Sequence, residues 1–258
     1  MSWSPARLLK AGLRKPADLY LRGHHALLGV PEGAVFILGH MRSGSTLLLH
    51  LLMSSPEVLA AGERNTVYST SKDLHRLARD CFIVQRRPFG RVRYVADQLN
   101  HDHLMPDPRL LLHPMVQPVL LARAPGPSIG SMVRTFGPLY GDWPPERAAE
   151  YYVQRVHTLT EYAVRLQAAG RRFTFLSYEA LTADPGQALA PLRQQLDLLR
   201  ALSGRYTAAR FTGQRGDPSD RIAAGEVRAD AGAPVPVPDA WLWRAEEAYA
   251  ALKAAVGA

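Results

Sequence analysis

Residues 34–46 of this chain read Ala34-Val-Phe-Ile-Leu-Gly-His-Met-Arg-Ser-Gly-Ser-Thr46. The first five form an unbroken apolar run, which is typical of a β-strand that is buried on both faces. The glycine- and serine-rich segment that follows predicts a short loop, and the leucine-rich residues 46–53 predict a helix that ends near Pro56. A buried strand, a loop and a helix in this order open an α/β unit.

Strands and helices also alternate along the rest of the chain. Apolar or alternating residues predict strands at 91–96, 117–122 and 172–177. Apolar residues at helical spacing across 152–166 predict the clearest helix, and Asp184-Pro185 gives another helix its N-cap and first-turn proline. This alternation predicts a single α/β domain whose central, mostly parallel sheet is flanked by helices, as in P-loop NTPases.

The composition is that of an ordinary globular protein. The 258 residues are 47% hydrophobic and 21% charged, which excludes a disordered or fibrous chain. The formal net charge of +8 favours anionic ligands or acidic surfaces and carries no information about the fold. Cys81 is the only cysteine, so an intrachain disulfide and a cysteine-based zinc site are both excluded.

The first 33 residues differ in character from the rest. They are basic and weakly amphipathic, so we expect residues 1–33 to form a helical extension and residues 34–258 to form the α/β domain. The short leucine stripe favours packing on the domain edge, while docking on a membrane surface or a partner is the alternative. No apolar run reaches the roughly 18 residues that a membrane span needs. The N-terminal residues also lack a signal-peptide pattern, so we expect a cytoplasmic protein without stable membrane insertion.

The loop after the first strand has the features of a phosphate site. Backbone N–H groups converge at such a turn, and the start of the next helix adds partial positive charge. Arg42 can add a delocalised charge, and Ser45 and Thr46 can add hydroxyl donors. A turn that merely joins the strand to the helix is the alternative interpretation.

The spacing of this loop resembles the P-loop motif but differs from it in one informative way. Ser45 stands where the motif has its lysine, and the basic residue, Arg42, precedes Gly44 instead. An NTPase also needs an acidic residue on a neighbouring strand to hold Mg²⁺. The strand at 117–122 runs into Arg123 without a carboxylate, so a P-loop kinase or NTPase is the less favoured function.

A second anion site is predicted around Arg123. This arginine follows a buried strand, and ligands of open α/β sheets gather at the carboxyl ends of strands. Its guanidinium can hold a phosphate with two hydrogen bonds, and Ser128 and Ser131 are spaced to share one face of the next helix. Tyr178, at the end of another strand, can meet an adenine ring or belong to the core. A salt-bridged arginine with two solvent-facing serines is the alternative.

Four segments, in order along the chain, resemble motifs of the PAPS-dependent sulfotransferases. Arg42-Ser-Gly-Ser-Thr-Leu47 is similar to the 5′-phosphosulfate loop of that family. Leu121-Ala-Arg-Ala-Pro-Gly-Pro-Ser-Ile-Gly-Ser131 is similar to its 3′-phosphate motif. Residues 173–185 resemble its Ser-Tyr-Glu-Asp-Leu segment, and Gly213-Gln-Arg-Gly-Asp217 resembles its late Lys-Gly-x-x-Gly-Asp loop.

The resemblance implies the fold and the activity of a sulfotransferase. Such an enzyme moves a sulfuryl group in line, without a metal ion, from 3′-phosphoadenosine 5′-phosphosulfate (PAPS) to a hydroxyl group. It releases 3′-phosphoadenosine 5′-phosphate (PAP), and its acceptor is expected to be a small molecule or a carbohydrate. The residues that match donor-binding positions of the family are Arg42, Ser43, Gly44, Ser45, Thr46, Arg123, Ser131, Tyr178, Gly213 and Arg215.

Sulfuryl transfer needs a general base to take the proton of the acceptor hydroxyl, and a cation at the leaving oxygen. Arg42 fits the role of the cation. Glu63 is the first candidate for the base, because Gly62-Glu63 resembles the base position of the tyrosylprotein branch of the family. His101 is the rival, because it lies broadly where the cytosolic branch carries Lys-Thr-His. Without a catalytic role, Glu63 would be a surface glutamate paired with Arg64, and His101 would belong to a solvated loop.

Two further classes of site are disfavoured. A binder of nucleotides or nucleic acid without catalytic activity would use the basic surface. However, the arginines are scattered, and the chain lacks the aromatic–basic strand pattern of RNA-binding modules, so nucleic acid is not expected as a partner. No metal site is expected, because the pair His101 and His103, with Asp102 between them, has no further ligand at a suitable spacing.

Overall fold

A five-stranded, all-parallel sheet forms the centre of the described part of the chain, with the strand order β2-β3-β1-β4-β5. The computed structural model describes residues 14–28, 31–85, 91–141, 143–209, 212, 222–228 and 235–258. The strands are β1 (Gly33–Leu38), β2 (Val58–Ala60), β3 (Tyr94–Leu99), β4 (Val116–Ala122) and β5 (Thr174–Ser177).

Helices occupy most of the connections between the strands. They are α1 (Arg14–Leu28), α2 (Ser45–Leu52), α3 (Ser71–Gln85), α4 (Pro108–Leu111), α5 (Pro125–Tyr140), α6 (Pro145–Ala168), α7 (Tyr178–Ala183), α8 (Pro185–Gln195) and α9 (Asp239–Val256). Short 3₁₀ turns lie at Asp102–Leu104 and Ile222–Ala224. Asp184 caps α8 by accepting a hydrogen bond from the backbone N–H of Gln187, as its Asp-Pro sequence predicts.

Helices cover both faces of the sheet. Val35 and Ile37 of β1 pack in one cluster with α2 and α8. Phe36 and Leu38 pack on the other face in a cluster with α3, α5, α6 and α9. Every residue of β1 is buried, as expected for a central strand of a parallel sheet. The predicted fold class, an α/β domain with a central sheet flanked by helices, is confirmed.

The carboxyl ends of β1, β3 and β4 lie side by side. Leu38 of β1 is in register with Leu99 of β3 and with Leu120 of β4. Residues that follow these strands therefore meet at one edge of the sheet, where ligands of α/β proteins bind. This topology brings the loop after β1 close to Arg123 after β4.

Three strands differ from the sequence prediction, and one of them, β5, begins at Thr174 instead of residue 172. The strand expected at 91–96 is Tyr94–Leu99, because it continues through Asp97 and Gln98, whose polar side chains are buried and interrupt the apolar pattern. Arg93, just before it, forms ion pairs with Glu32 at 2.6 Å and Glu57 at 3.4 Å. The strand Val58–Ala60 was not predicted, since three residues are too few to show a periodic pattern.

Helix α1 packs against α3 at the edge of the domain. The rings of Tyr20 and Phe82 are 5.7 Å apart, and Asp18 lies 3.7 Å from the Arg79 guanidinium. These contacts agree with the interpretation of this segment as an edge helix, while the division of the chain at residue 33 stays a prediction. None of the helices in the described ranges is both long enough and apolar enough to cross a lipid bilayer.

Candidate active site

The loop between β1 and α2 has the backbone of an anion-binding turn. Arg42 (φ 64°) and Gly44 (φ 93°) both adopt positive φ, which costs an arginine about 1–2 kcal/mol. Helix α2 begins at Ser45 and has no side-chain cap on its N-terminus, so its first N–H groups are not satisfied by a cap. Alternating backbone conformations followed by an uncapped helix start favour a bound phosphate or sulfate.

Tyr178 packs directly on this loop. A Cβ atom at residue 44 would lie 2.6 Å from Cδ2 of Tyr178, so only glycine allows both this contact and the positive φ. The same ring lies under the guanidinium of Arg123, whose Cζ is 4.3 Å from the ring centroid. Tyr178 therefore contacts both predicted anion-binding segments, while its contact with adenine stays a prediction.

Arg42 connects the two predicted anion sites directly. Its Nε donates a hydrogen bond of 3.0 Å to Oγ of Ser131, which is only 2% exposed. The arginine of the first motif and the serine of the second thus lie in contact, although 89 positions separate them in the chain. Arg123 completes this cluster and is 5% exposed. Gly213 and Arg215, predicted from the late loop, lie outside the described residues.

His40 fixes the backbone that carries Arg123. Its Nε2 accepts a hydrogen bond of 3.1 Å from the Arg123 N–H, and its Nδ1 donates at 2.9 Å to the carbonyl of Met41. The Tyr152 hydroxyl donates at 2.7 Å to the carbonyl of Arg123, so both backbone groups of this residue are held by side chains. Complete burial lowers the pKa of His40 to about 4, and the ring is neutral at physiological pH.

The buried His40 predicts a component of stability that depends on pH. Because its pKa is about 6.5 in an unfolded chain and about 4 in the fold, the unfolded state binds more protons between these values. The contribution of His40 is therefore complete above pH 6.5 and is lost as the pH falls towards 4. We expect the free energy of unfolding of the wild type to fall relative to that of His40→Gln, by up to about 1.4 kcal/mol per pH unit in this window.

Urea unfolding from pH 4.5 to 7.5 measures this difference. His75→Gln is the control, because His75 is exposed on α3 and its substitution should leave the profile of the wild type unchanged. Identical pH profiles for wild type and His40→Gln would contradict the assignment of a neutral, buried ring.

An uncharged amide lies beside Thr46, where an NTPase would need a carboxylate. Gln98 of β3, in register with Ile37, directs its Nε2 to Oγ1 of Thr46 at 3.3 Å. Asp97, one residue earlier, points to the opposite face, where the Tyr68 hydroxyl donates to it at 2.6 Å. Burial raises the pKa of Asp97 to about 7. On β3, therefore, the carboxylate faces away from the loop and an amide faces Thr46, which disfavours an NTPase as β4 does.

The loop region also holds buried polar atoms that fit a polar ligand. Oγ of Ser43, Oε1 of Gln98 and Oδ1 of Asn100 are buried and have no hydrogen-bond partner among the described residues. Buried polar groups are normally paired, so such a group beside an anion-binding turn is a natural contact for a ligand. Within the described ranges, no group of three or more His, Cys, Asp or Glu side chains is arranged to hold a metal ion.

Glu63 is bonded to the residue that follows β3. It is half-buried, and its Oε1 accepts a hydrogen bond of 3.2 Å from Nδ2 of Asn100, the residue that follows β3. Arg64, the partner expected for a surface glutamate, directs its guanidinium to Asp80 instead. The structure therefore ties the first candidate base to the carboxyl end of β3.

His101, the rival base, lies beside a different set of side chains. Its ring stacks on His103 at a centroid distance of 5.4 Å and meets the edge of Tyr151 at 6.2 Å. Burial lowers the pKa of His101, and the nearby charges of His103 and Arg155 lower it further. Its role as a base stays a prediction.

Three residues that sequence reasoning missed hold this region together. Arg155 is fully buried and donates to the carbonyls of Gly39 at 2.7 Å and Leu99 at 2.6 Å, and to Asp102 at 2.7 Å. Tyr151 and Asn100 are the other two, and the Tyr151 hydroxyl donates a hydrogen bond to the carbonyl of Asn100. An arginine on the apolar stripe of the helix predicted across 152–166 was the one signal available in the sequence.

Comparisons with known proteins give distant matches. No protein-family model matches the chain, and no curated protein does. Mouse sulfotransferase SULT7A1 complexed with PAP is similar at 14% identity and a TM-score of 0.41, over 66% of this chain and 60% of that protein. Retinol dehydratase with retinol and PAP is similar at 14% identity and a TM-score of 0.45, over 88% of this chain and 82% of that protein. Retinol dehydratase with androsterone and PAP is similar at 16% identity and a TM-score of 0.40, over 89% of this chain and 82% of that protein.

Proposed function

We propose that this chain is a PAPS-dependent sulfotransferase that sulfates a hydroxyl group of a small molecule or a carbohydrate. The contact between Arg42 and Ser131 carries this proposal, because it joins the phosphate loop to the second anion-binding segment. A nucleotide with charged groups at both its 5′ and 3′ positions matches two adjacent anion sites. A cytoplasmic location and the absence of nucleic-acid partners stay predictions.

The roles of the residues follow from their positions. PAPS, when bound, supplies a sulfuryl group that is activated by its linkage to a phosphate. Arg42 and the N–H groups at the start of α2 would hold that phosphate and stabilise the charge that develops on the leaving oxygen. The hydroxyls of Ser45 and Thr46 would donate further hydrogen bonds, and Glu63 would take the acceptor proton.

Arg123 and Ser131 would hold the 3′-phosphate. The guanidinium of Arg123 is buried above the Tyr178 ring, so an anion that reaches it is shielded from water and binds more strongly. Arg123 follows β4, and Ser131 belongs to α5, which the loop after β1 contacts through Arg42. The kinase alternative lacks support here, because Ser45 replaces the lysine and Gln98 replaces the carboxylate.

Thermal denaturation with added ligands tests the proposed function. PAP should stabilise the protein in the absence of Mg²⁺, by about 2.7 kcal/mol at a concentration one hundred times its Kd. A kinase would respond instead to ATP with Mg²⁺, and a nucleic-acid binder to an oligonucleotide with steep salt dependence. Absence of stabilisation by PAP would contradict the proposal.

Arg123→Ala should remove most of the preference for PAP over AMP. The two nucleotides differ by the 3′-phosphate, and charge-assisted hydrogen bonds contribute about 1.5–3 kcal/mol each, or roughly 10- to 150-fold in affinity. We expect AMP to bind the variant and the wild type about equally. Titration calorimetry with both nucleotides measures the ratio, with Arg193→Ala on the exposed face of α8 as the matched control. A variant that discriminates as strongly as the wild type would place the 3′-phosphate elsewhere.

A further inference from the structure

We infer that Tyr151 and Asn100 are positioning residues that fix the carboxylate of Glu63 relative to the phosphate loop. This inference rests on the proposed function and extends it to two residues that no sequence motif marks. It follows from a continuous chain of hydrogen bonds between the donor side and the acceptor side of the site.

This chain of hydrogen bonds begins in the phosphate loop. The N–H of Met41 donates to the Tyr151 hydroxyl at 2.9 Å, and that hydroxyl donates at 2.5 Å to the carbonyl of Asn100. Nδ2 of Asn100 then donates to Oε1 of Glu63 at 3.2 Å. One hydroxyl, which accepts one hydrogen bond and donates another, thus connects the loop to the residue that holds the candidate base.

The two residues in the middle of this chain of hydrogen bonds, Asn100 and Tyr151, are held in place by the fold. Asn100 is only 6% exposed, and Tyr151 lies within the 24-residue helix α6. One turn further along α6, Arg155 holds the carbonyl of Leu99, the residue before Asn100, and that of Gly39, two residues before Met41. Helix α6 therefore binds the ends of β1 and β3 at two successive turns, which leaves little freedom for Asn100.

The orientation of the Asn100 amide supports this role. Its Nδ2 faces the carboxylate, while Oδ1 lies 3.3 Å from the position that a Cβ atom of Gly39 would occupy. The opposite orientation would place two oxygens together. An amide N–H that donates to a carboxylate favours its charged form and fixes its plane. Both effects suit a general base, which must be ionised and aimed at the acceptor hydroxyl before the reaction.

Asn100→Ala and Tyr151→Phe test the inference in the full-length protein. PAP release from PAPS is followed from pH 5 to 9 with 2-naphthol and methyl glucoside as trial acceptors, and PAP affinity is measured separately. For Asn100→Ala we expect kcat to fall about 10- to 100-fold with little change in PAP affinity, because the base loses its alignment. The acidic limb of the rate profile should move to higher pH, because the carboxylate has lost a donor. Tyr151→Phe should show the same changes, but smaller.

A second substitution separates the hydrogen bond from packing. Asn100→Asp keeps the shape but places a second carboxylate beside Glu63, so the acidic limb should move further to higher pH. Arg155 and Asp102, like Glu63, lie close enough to act on the Tyr151 hydroxyl, and both are unchanged in these variants. Tyr162→Phe is the matched control for Tyr151→Phe, since it removes a hydroxyl of the same helix that donates to the carbonyl of Pro106.

The outcomes distinguish this inference from the proposed function. If the wild type neither binds PAP nor turns over PAPS, the proposed function fails and the inference fails with it. If the wild type is active and Asn100→Ala keeps both its kcat and its acidic limb, the positioning role alone is wrong. If Asn100→Ala does not fold, Tyr151→Phe decides, and a variant that matches Tyr162→Phe in rate and pH profile overturns the inference.

Discussion

Arg42→Ala should reduce the rate of sulfuryl transfer by about 10²–10³-fold, the loss typical when one donor to a developing oxyanion is removed. In the proposed site Arg42 is the cation that faces the donor, and the structure shows it bonded to Ser131 of α5. Its loss therefore removes positive charge at the leaving oxygen and separates the two segments. PAP affinity should fall as well, because charge-assisted hydrogen bonds contribute about 1.5–3 kcal/mol each.

The controls for this prediction separate charge from backbone strain. Alanine at residue 42 faces the same positive φ as arginine, so strain does not distinguish the variant from the wild type. Arg42→Lys keeps the charge but loses the planar donor group, and we expect intermediate rates. Arg193→Ala removes an arginine from an exposed part of α8 and should be neutral. Wild-type rates in Arg42→Ala would show that the loop does not hold the reacting end of the donor.

Much of the fold could be predicted because its central elements carry strong local patterns. An unbroken apolar run can hardly form anything but a buried strand or helix, and the glycine-rich loop after 34–38 made the strand the better choice. Asp184-Pro185 marked the start of α8 by its capping chemistry alone. The strand Val58–Ala60 could not be predicted, because its three residues show no periodicity and it forms by pairing with β3.

The site was predicted only where a motif is local. The five residues of loop 42–46 are enough to predict an anion-binding turn. The structure brings Ser131, Tyr178 and Arg123 to this loop. Arg155, Asn100 and Tyr151 could not be predicted as parts of the candidate site because their contacts are with partners far away in sequence. The Tyr151 hydroxyl, for example, bonds to residues 110 and 51 positions away. Sequence patterns carry no record of such pairings unless many related chains are compared.

The choice between two bases remains, and substitution of Glu63 decides it. Glu63→Gln keeps the shape and removes the basicity, so turnover should fall by the roughly 10²–10⁴-fold typical of general-base loss, while PAP binding survives. Glu161→Gln, on the exposed face of α6, is the matched control and should be neutral. His101→Ala should be much milder than Glu63→Gln, because the His101 ring lies against His103 and Tyr151, whereas Glu63 is joined to the phosphate loop through Asn100 and Tyr151.

The rate profile with pH gives a weaker distinction than the substitutions do. A carboxylate base produces an acidic limb at its own pKa, and a histidine base normally produces one nearer neutrality. Burial lowers the pKa of His101, which brings the two limbs closer together, so the variants must be compared at a single pH above both. An active Glu63→Gln with an inactive His101→Ala that still binds PAP would assign the base to His101. If both variants stayed active, the sulfuryl transfer would stand, and the acceptor side of the site would have to be rebuilt from other residues.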